Sequence, residues 1–343
     1  MREPAFWYRP RSLESRVLRP LGALYGAIAA RRFARRGLEA GIPVFCIGNY
    51  HVGGAGKTPT VLSLTRLLCE LGETPVVLSR GYGGKLLGPV LVDRERHTAA
   101  DVGDEPLMMA REVPVAVSRD RVSGVALATS IGATVILMDD GFQNPRIVKD
   151  ASLIVIDSER GLGNGNVFPA GPLRAPLAPQ LARTDALIVI GPGKAADPLA
   201  DVIAGQGKPV LRATLKPEAA SLAQLLGQRV LAFAGIGDPE RFFRTLRTSG
   251  IDVVRTRSFA DHHAFSRAEI DALLAEAKRD GLTAVTTEKD LARLRGGSGS
   301  PDLVPDLARD IVPFAVRLEF DDPAQLRGFV SDRLFMAWAK KVR

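Results

Sequence analysis

Five short runs of this chain stay apolar until they close on a turn: PVFCIGN (43–49), PVVLSRG (75–81), VILMDDG (135–141), SLIVIDS (152–158) and ALIVIGP (186–192). A strand with one face in water alternates apolar and polar side chains. Runs without that alternation belong to central strands of a parallel sheet covered on both faces. Helical stretches such as 60–71 and 119–131 supply the crossovers, so residues 41–222 read as a doubly wound α/β domain. Its functional loops are expected at the carboxyl ends of the strands. The polar, Pro-containing stretch 205–228 breaks the rhythm, and further strand-like runs follow at 230–237, 252–259, 283–290 and 312–320. These predict a second, smaller α/β domain over 223–343, which suits a chain of 343 residues. RGGSGSPDLVPD (295–306) reads as a surface loop.

The net charge of +8 implies an acidic partner: nucleic acid, nucleotide or an anionic membrane. An aromatic content of 6% argues against a stacking surface for bases, so no nucleic acid is expected. Cys46 and Cys69 cannot form a metal cluster alone, and both read as buried, reduced thiols. Much of the positive charge lies in residues 1–40. There an apolar core over 20–30 sits between Arg16 and Arg19 on one side and Arg31, Arg32, Arg35 and Arg36 on the other. That core is shorter than the roughly 20 residues a membrane span needs, and no cleavage-site pattern follows it. Leu21, Leu24, Tyr25 and Ile28 fall on one face of a helix. Two readings stand: a helix lying on an anionic membrane surface, or an amphipathic helix packed on the protein's own core.

GNYHVGGAGKTPT (48–60) follows the first strand. Against the pattern G-x-x-x-x-G-K-[ST], Gly56, Lys57 and Thr58 fit, whereas His51 stands at the first glycine. His51, Val52, Gly53, Gly54, Ala55, Gly56, Lys57 and Thr58 are therefore the candidate ATP cradle. The glycines allow backbone N–H groups to wrap phosphates, Lys57 would reach the β- and γ-phosphates, and Thr58 would ligate Mg²⁺. Asp139 and Asp140 end a buried strand, either as Mg²⁺-holding carboxylates or as a strand-ending turn. Asp104 and Glu105 open a helix, where catalytic and capping roles both fit. His262 and His263 follow Asp261 with no cysteine near, which argues against structural zinc and leaves a catalytic role or a surface turn.

VGGAGKTPT, LSRGYGG, VGDEPLMMA, MDDGFQN, GLGNGNVFPAGPLRAP, AFAGIGDPERFF, FADHHAF and TTEKDLARL occur in this order. Together they resemble the tetraacyldisaccharide 4'-kinase family, the lipid A 4'-kinases, over nearly the whole chain. The resemblance implies a P-loop NTPase-like doubly wound parallel sheet, a second, smaller α/β domain and an N-terminal membrane-associated helix. It implies ATP- and Mg²⁺-dependent phosphorylation of the 4'-hydroxyl of an acylated glucosamine disaccharide 1-phosphate. The enzyme would be a monomer at the cytoplasmic face of the bacterial inner membrane, held to its anionic surface. By the same resemblance Asp104 is the catalytic base, assisted by His262, and Asp139 and Asp140 organise Mg²⁺ with Thr58 and Glu105 as further ligand candidates. Arg174 would neutralise phosphate charge, with Arg80, Arg121 and His263 as further substrate or phosphate contacts. Phe142 and Asn144 depart from the family's usual Leu and His. The alternative is a P-loop regulatory or metal-delivery NTPase, which needs the same loop but has no reason to carry the N-terminal helix with the GDEP and DHH motifs.

Overall fold

The computed structural model describes residues 3–10, 12–54, 56–295 and 307–341. Its strands are β1 (Val44–Gly48), β2 (Pro75–Ser79), β3 (Val90–Leu91), β4 (Val115–Val117), β5 (Val135–Asp139), β6 (Ala151–Asp157), β7 (Ala186–Ile190), β8 (Val210–Pro217), β9 (Arg229–Ala234), β10 (Asp252–Ser258), β11 (Thr283–Thr287), β12 (Ile311–Phe314) and β13 (Val316–Phe320). The five apolar runs became β1, β2, β5, β6 and β7, buried at every position. They form the middle of a nine-stranded sheet in the order β13-β8-β7-β6-β1-β5-β2-β4-β3. Its inner pairings are parallel, and only the two edge pairs, β13 with β8 and β3 with β4, are antiparallel.

Helices cover both faces. On one, Val61, Leu64 and Leu68 of helix Lys57–Glu70 pack with Leu326, Val330 and Leu334 of helix Pro323–Lys341. On the other lie Val125 and Ala128 of helix Arg121–Ser130 and Ile203 of helix Asp197–Gly205. β1 sits between β5 and β6, and Ile47 pairs with Asp139, so the loop leaving β1 emerges beside the one leaving β5. The second sheet, β10-β9-β11-β12, is wholly parallel and packs its own cores around Phe233 and Phe243.

Four sequence expectations change. The run at 312–320 is two strands, because Phe314 belongs to the small core and Leu318 to the large one. The chain thus leaves the small sheet after β12, and β13 and the C-terminal helix return to the first sheet instead of completing a unit over 223–343. The stretch 205–228 is no break: it holds β8 and helix Ala219–Leu225. Cys69 is exposed, one residue past the inward-facing Leu68 on the same helix; Cys46 is buried, and burial pushes its thiol up to about 11. Of the loop expected at 295–306, residues 296–306 lie outside the described residues.

The N-terminal helix, Leu13–Phe33, begins at Ser12, whose hydroxyl accepts the Ser15 N–H at 3.1 Å. Its inward face is small: Ser15, Gly22 and Gly26, with Phe33 at the end. A Cβ at Gly22 would stand 2.8 Å from the Val167 carbonyl oxygen, so glycine is what lets the helix lie this close. Leu13, Val17, Leu21, Leu24 and Ile28 point outward, and Tyr25, also exposed, meets the exposed Phe168 ring edge-on. The apolar stripe is therefore not packed on the protein's own core. Among the described residues, no helix is long and apolar enough to cross a membrane.

Candidate active site

The chain leaves β1 at Gly48 and turns into helix Lys57–Glu70 through a glycine-rich loop. Gly56 caps that helix at φ 87°, a left-handed conformation that favours glycine. Gly53 is also left-handed, at φ 111°. Val52 and Gly54 are exposed on the loop, Thr58 is the second residue of the helix, and Ala55 lies outside the described residues. His51 takes no place in an open cradle, because its side chain is buried. Its backbone bridges to Leu173, while Val52 N–H donates to the Pro172 carbonyl and Arg174 N–H to the Tyr50 carbonyl, each at 2.8 Å. Burial, with the Lys57 and Arg174 charges nearby, drives the imidazole down to about 3, so it is neutral. The residue that breaks the glycine pattern thus lies in the segment that ties the loop to Arg174.

Arg174 grips Asp140 with both prongs, Nη1 to Oδ1 at 2.8 Å and Nη2 to Oδ2 at 3.1 Å. Lys57 Nζ lies 3.8 Å from the same Oδ1. Burial raises the Asp140 carboxyl, but Lys57 and Arg174 outweigh it and hold the group below its usual value. Asp139 is different. It is buried, its Oδ2 accepts only the Ser79 hydroxyl at 3.2 Å, and Oδ1 has no partner. Burial, then the Glu105 and Asp140 charges, push it up to about 7. An orphaned buried carboxylate oxygen among further carboxylates fits a divalent cation, which would repay the desolvation. Among the described residues no three His, Cys, Asp or Glu side chains could hold a metal by themselves.

Asp104 opens helix Asp104–Met109 after Gly103, whose φ of 93° and approach to the Tyr82 carbonyl exclude a side chain. It is buried against the smaller domain. His262 Nδ1 lies 3.2 Å from Asp104 Oδ2, and Arg293 donates to that oxygen from Nη2 at 2.8 Å and Nε at 3.2 Å. Lys289 Nζ stands 3.8 Å from it and donates to Glu105 Oε1 at 2.8 Å. Asp104 Oδ1 accepts the Glu105 N–H at 3.1 Å. Burial raises the Asp104 carboxyl, but the His262 hydrogen bond and the Lys289 and Arg293 charges together pull it far below the usual range. Among the described residues the two non-glycine positions with left-handed backbones are Asp140 (φ 47°) and His262 (φ 57°), both in this site.

Asp104, Glu105, Lys57, Asp139, Asp140, Arg174 and His262 are therefore brought together. Arg121 and His263 are not part of that group. Arg121 is buried and donates to the carbonyls of Ser118 and Asp139 at 3.2 Å each, bracing the end of β5 instead of facing a ligand. His263 stacks on Phe259 and meets Glu269 at 3.1 Å within the smaller domain. Arg80 is exposed just past the end of β2. Sequence reasoning missed Lys289 and Arg293 as site residues. The available signal was their spacing: four apart on helix Glu288–Arg295, they share one face.

Comparison with known proteins gives the family. The family described as Tetraacyldisaccharide-1-P 4'-kinase matches residues 14–334. The tetraacyldisaccharide 4'-kinase of Bradyrhizobium diazoefficiens is 74% identical over 337 residues, 98% of each chain. That of Nitrobacter winogradskyi is 65% identical over 332 residues, 97% of each chain. A crystal structure of LpxK from Aquifex aeolicus in complex with ATP superposes with a TM-score of 0.71 at 26% identity, covering 93% of this chain and 99% of that one. The chain belongs to the tetraacyldisaccharide-1-P 4'-kinase family.

Proposed function

We propose that this chain transfers the γ-phosphoryl group of ATP to the 4'-hydroxyl of a tetraacyldisaccharide 1-phosphate, with Asp104 as the group that takes the hydroxyl proton. The observation that carries the residue assignment is one carboxylate, Asp104, buried between the two domains and contacted by His262. Its Oδ2 is engaged by cationic donors, which leaves Oδ1 to receive the proton. Held well below the usual carboxylate range, it is ionised at any physiological pH. A weak base suffices, since phosphoryl transfer passes through a loose transition state in which positioning and charge neutralisation dominate.

The first domain fits a P-loop NTPase-like reading. Backbone N–H groups of residues 53, 54 and 56–58 would wrap the phosphates, and Lys57 and Arg174 would meet their charge. Asp139, with Thr58 and Glu105, would hold Mg²⁺, which supplies further charge neutralisation on the phosphates. Asp140 is less suited to ligation, because Arg174 engages both its oxygens. The outward stripe of helix Leu13–Phe33, with Arg16, Arg19, Arg31 and Arg32 beside it, supports a helix lying on an anionic inner-membrane surface where a lipid acceptor resides.

Release of ADP with and without the lipid acceptor tests the reaction type. The kinase reading predicts turnover that rises at least about tenfold when tetraacyldisaccharide 1-phosphate in mixed micelles is added, because only the bound acceptor places a hydroxyl in line with the γ-phosphate. Equal turnover without acceptor would return the chain to the regulatory NTPase class.

A further inference from the structure

The motif TTEKDLARL carries no residue with a direct part in the reaction, yet its helix delivers the shortest hydrogen bond to Asp104. We propose that Arg293 is a positioning residue for phosphoryl transfer: anchored on Asp290, its guanidinium fixes Asp104 Oδ2 and the loop carrying His262 in one geometry. This rests on the reading of Asp104 as the proton acceptor.

Arg293 is buried, and so is Asp290. Nη1 donates to Asp290 Oδ1 at 2.7 Å, to the Gly235 carbonyl at 3.2 Å and to the His263 carbonyl at 3.4 Å. Nη2 and Nε together donate to Asp104 Oδ2. Asp290 is in turn fixed, its Oδ2 accepting the Gly235 N–H at 3.1 Å and the Thr287 hydroxyl at 2.8 Å. The Gly235 carbonyl also accepts the His262 N–H at 3.0 Å. One planar fork therefore touches the candidate base, the peptide next to its histidine partner and the end of β9, where the Gly235 carbonyl also holds the His262 N–H. Arginine alone offers donors in this fixed array; lysine offers a point charge.

Stability does not require such a cluster, since well-packed apolar groups replace buried ion pairs at little cost or with gain. What apolar groups could not do is hold Asp104 ionised with its cationic donors gathered on one oxygen, Oδ2, and only the Glu105 N–H on the other. Because Arg293 comes from the smaller domain, the base is set for reaction only when that domain is docked against helix Asp104–Met109.

The test uses the full-length protein with Mg-ATP and tetraacyldisaccharide 1-phosphate in mixed micelles. Arg293→Met is expected to lower kcat about 100-fold, the usual cost of a misplacement near 1 Å, while KM for ATP and acceptor stays within about twofold. Arg293→Lys should recover roughly tenfold of that loss, since it restores the charge without the fork. In an Asp104→Asn background, Arg293→Met should cost almost nothing further, because both act through one carboxylate. Loss that adds to that of Asp104→Asn, a matching rise in KM for ATP, or kcat within about threefold of wild type would overturn the proposal. Should Arg293→Met not unfold cooperatively, Arg293→Lys decides: wild-type kcat in that variant also overturns it. Full activity in Asp104→Asn would instead remove the base reading on which the proposal stands.

Discussion

Replacing Leu21 and Leu24 by glutamine is expected to weaken binding to anionic vesicles by roughly 50- to 100-fold while leaving the fold nearly as stable as before. The two side chains are 57% and 63% exposed on the outward face of helix Leu13–Phe33. Burying a whole leucine is worth about 2 kcal/mol, so moving three-fifths of each into the acyl boundary contributes about 2.5 kcal/mol for the pair. At about 1.4 kcal/mol per tenfold, this gives the factor above. Both positions lie away from the small inward face formed by Ser15, Gly22 and Gly26, and glutamine is a good helix former. Unfolding free energy should therefore change by less than about 0.5 kcal/mol. Co-sedimentation with phosphatidylethanolamine–phosphatidylglycerol vesicles at fixed ionic strength reads the affinity, and thermal unfolding in the absence of lipid reads the stability. An affinity change below about threefold would refute the membrane reading of the stripe, and a large fall in unfolding temperature would refute its exposure.

Two further perturbations follow from the site. Asp139→Asn removes the carboxylate whose Oδ1 is buried without a partner. It should raise the Mg²⁺ concentration for half-maximal activity at least about tenfold, and unchanged Mg²⁺ dependence would count against Asp139 as ligand. His51 has a folded-state pKa of about 3 against 6.5 ordinarily, so below pH 6.5 the unfolded chain binds the extra proton. Its contribution is thus full above that pH and is lost as the pH falls toward about 3. Urea unfolding between neutral and acid pH should show a shallower decline in His51→Gln than in wild type; parallel declines would show that His51 is not held neutral.

The central strands were legible because burial on both faces leaves no polar positions, as in β7, and the glycine loop because few residues other than glycine adopt its left-handed turns. β8 was not, because it lies one strand from the sheet edge, and its mixture of buried and exposed positions gives no continuous apolar run. β13 returns to pair with it across about a hundred residues of the smaller domain, and no local pattern announces a pairing of that range. The site divides the same way. Lys57 opens the helix that follows β1, and Asp139 and Asp140 close β5, so the strand order places them side by side, whereas Arg293 reaches Asp104 from 189 residues away. His263 and Arg121 misled for a related reason. Residue type marks what a side chain can do, but stacking on Phe259 for the one and burial beneath the end of β5 for the other decide what it does.

Transfer of labelled γ-phosphate from Mg-ATP to tetraacyldisaccharide 1-phosphate, compared between wild type and a folded Asp104→Asn variant, tests the central claim most directly. The account predicts label at the 4'-position with wild type and a loss of roughly 10²- to 10⁴-fold in kcat in the variant, with KM for ATP little changed. Wild-type transfer by Asp104→Asn would contradict the assignment of the base, and hydrolysis of ATP with no label on the lipid would contradict the reaction itself.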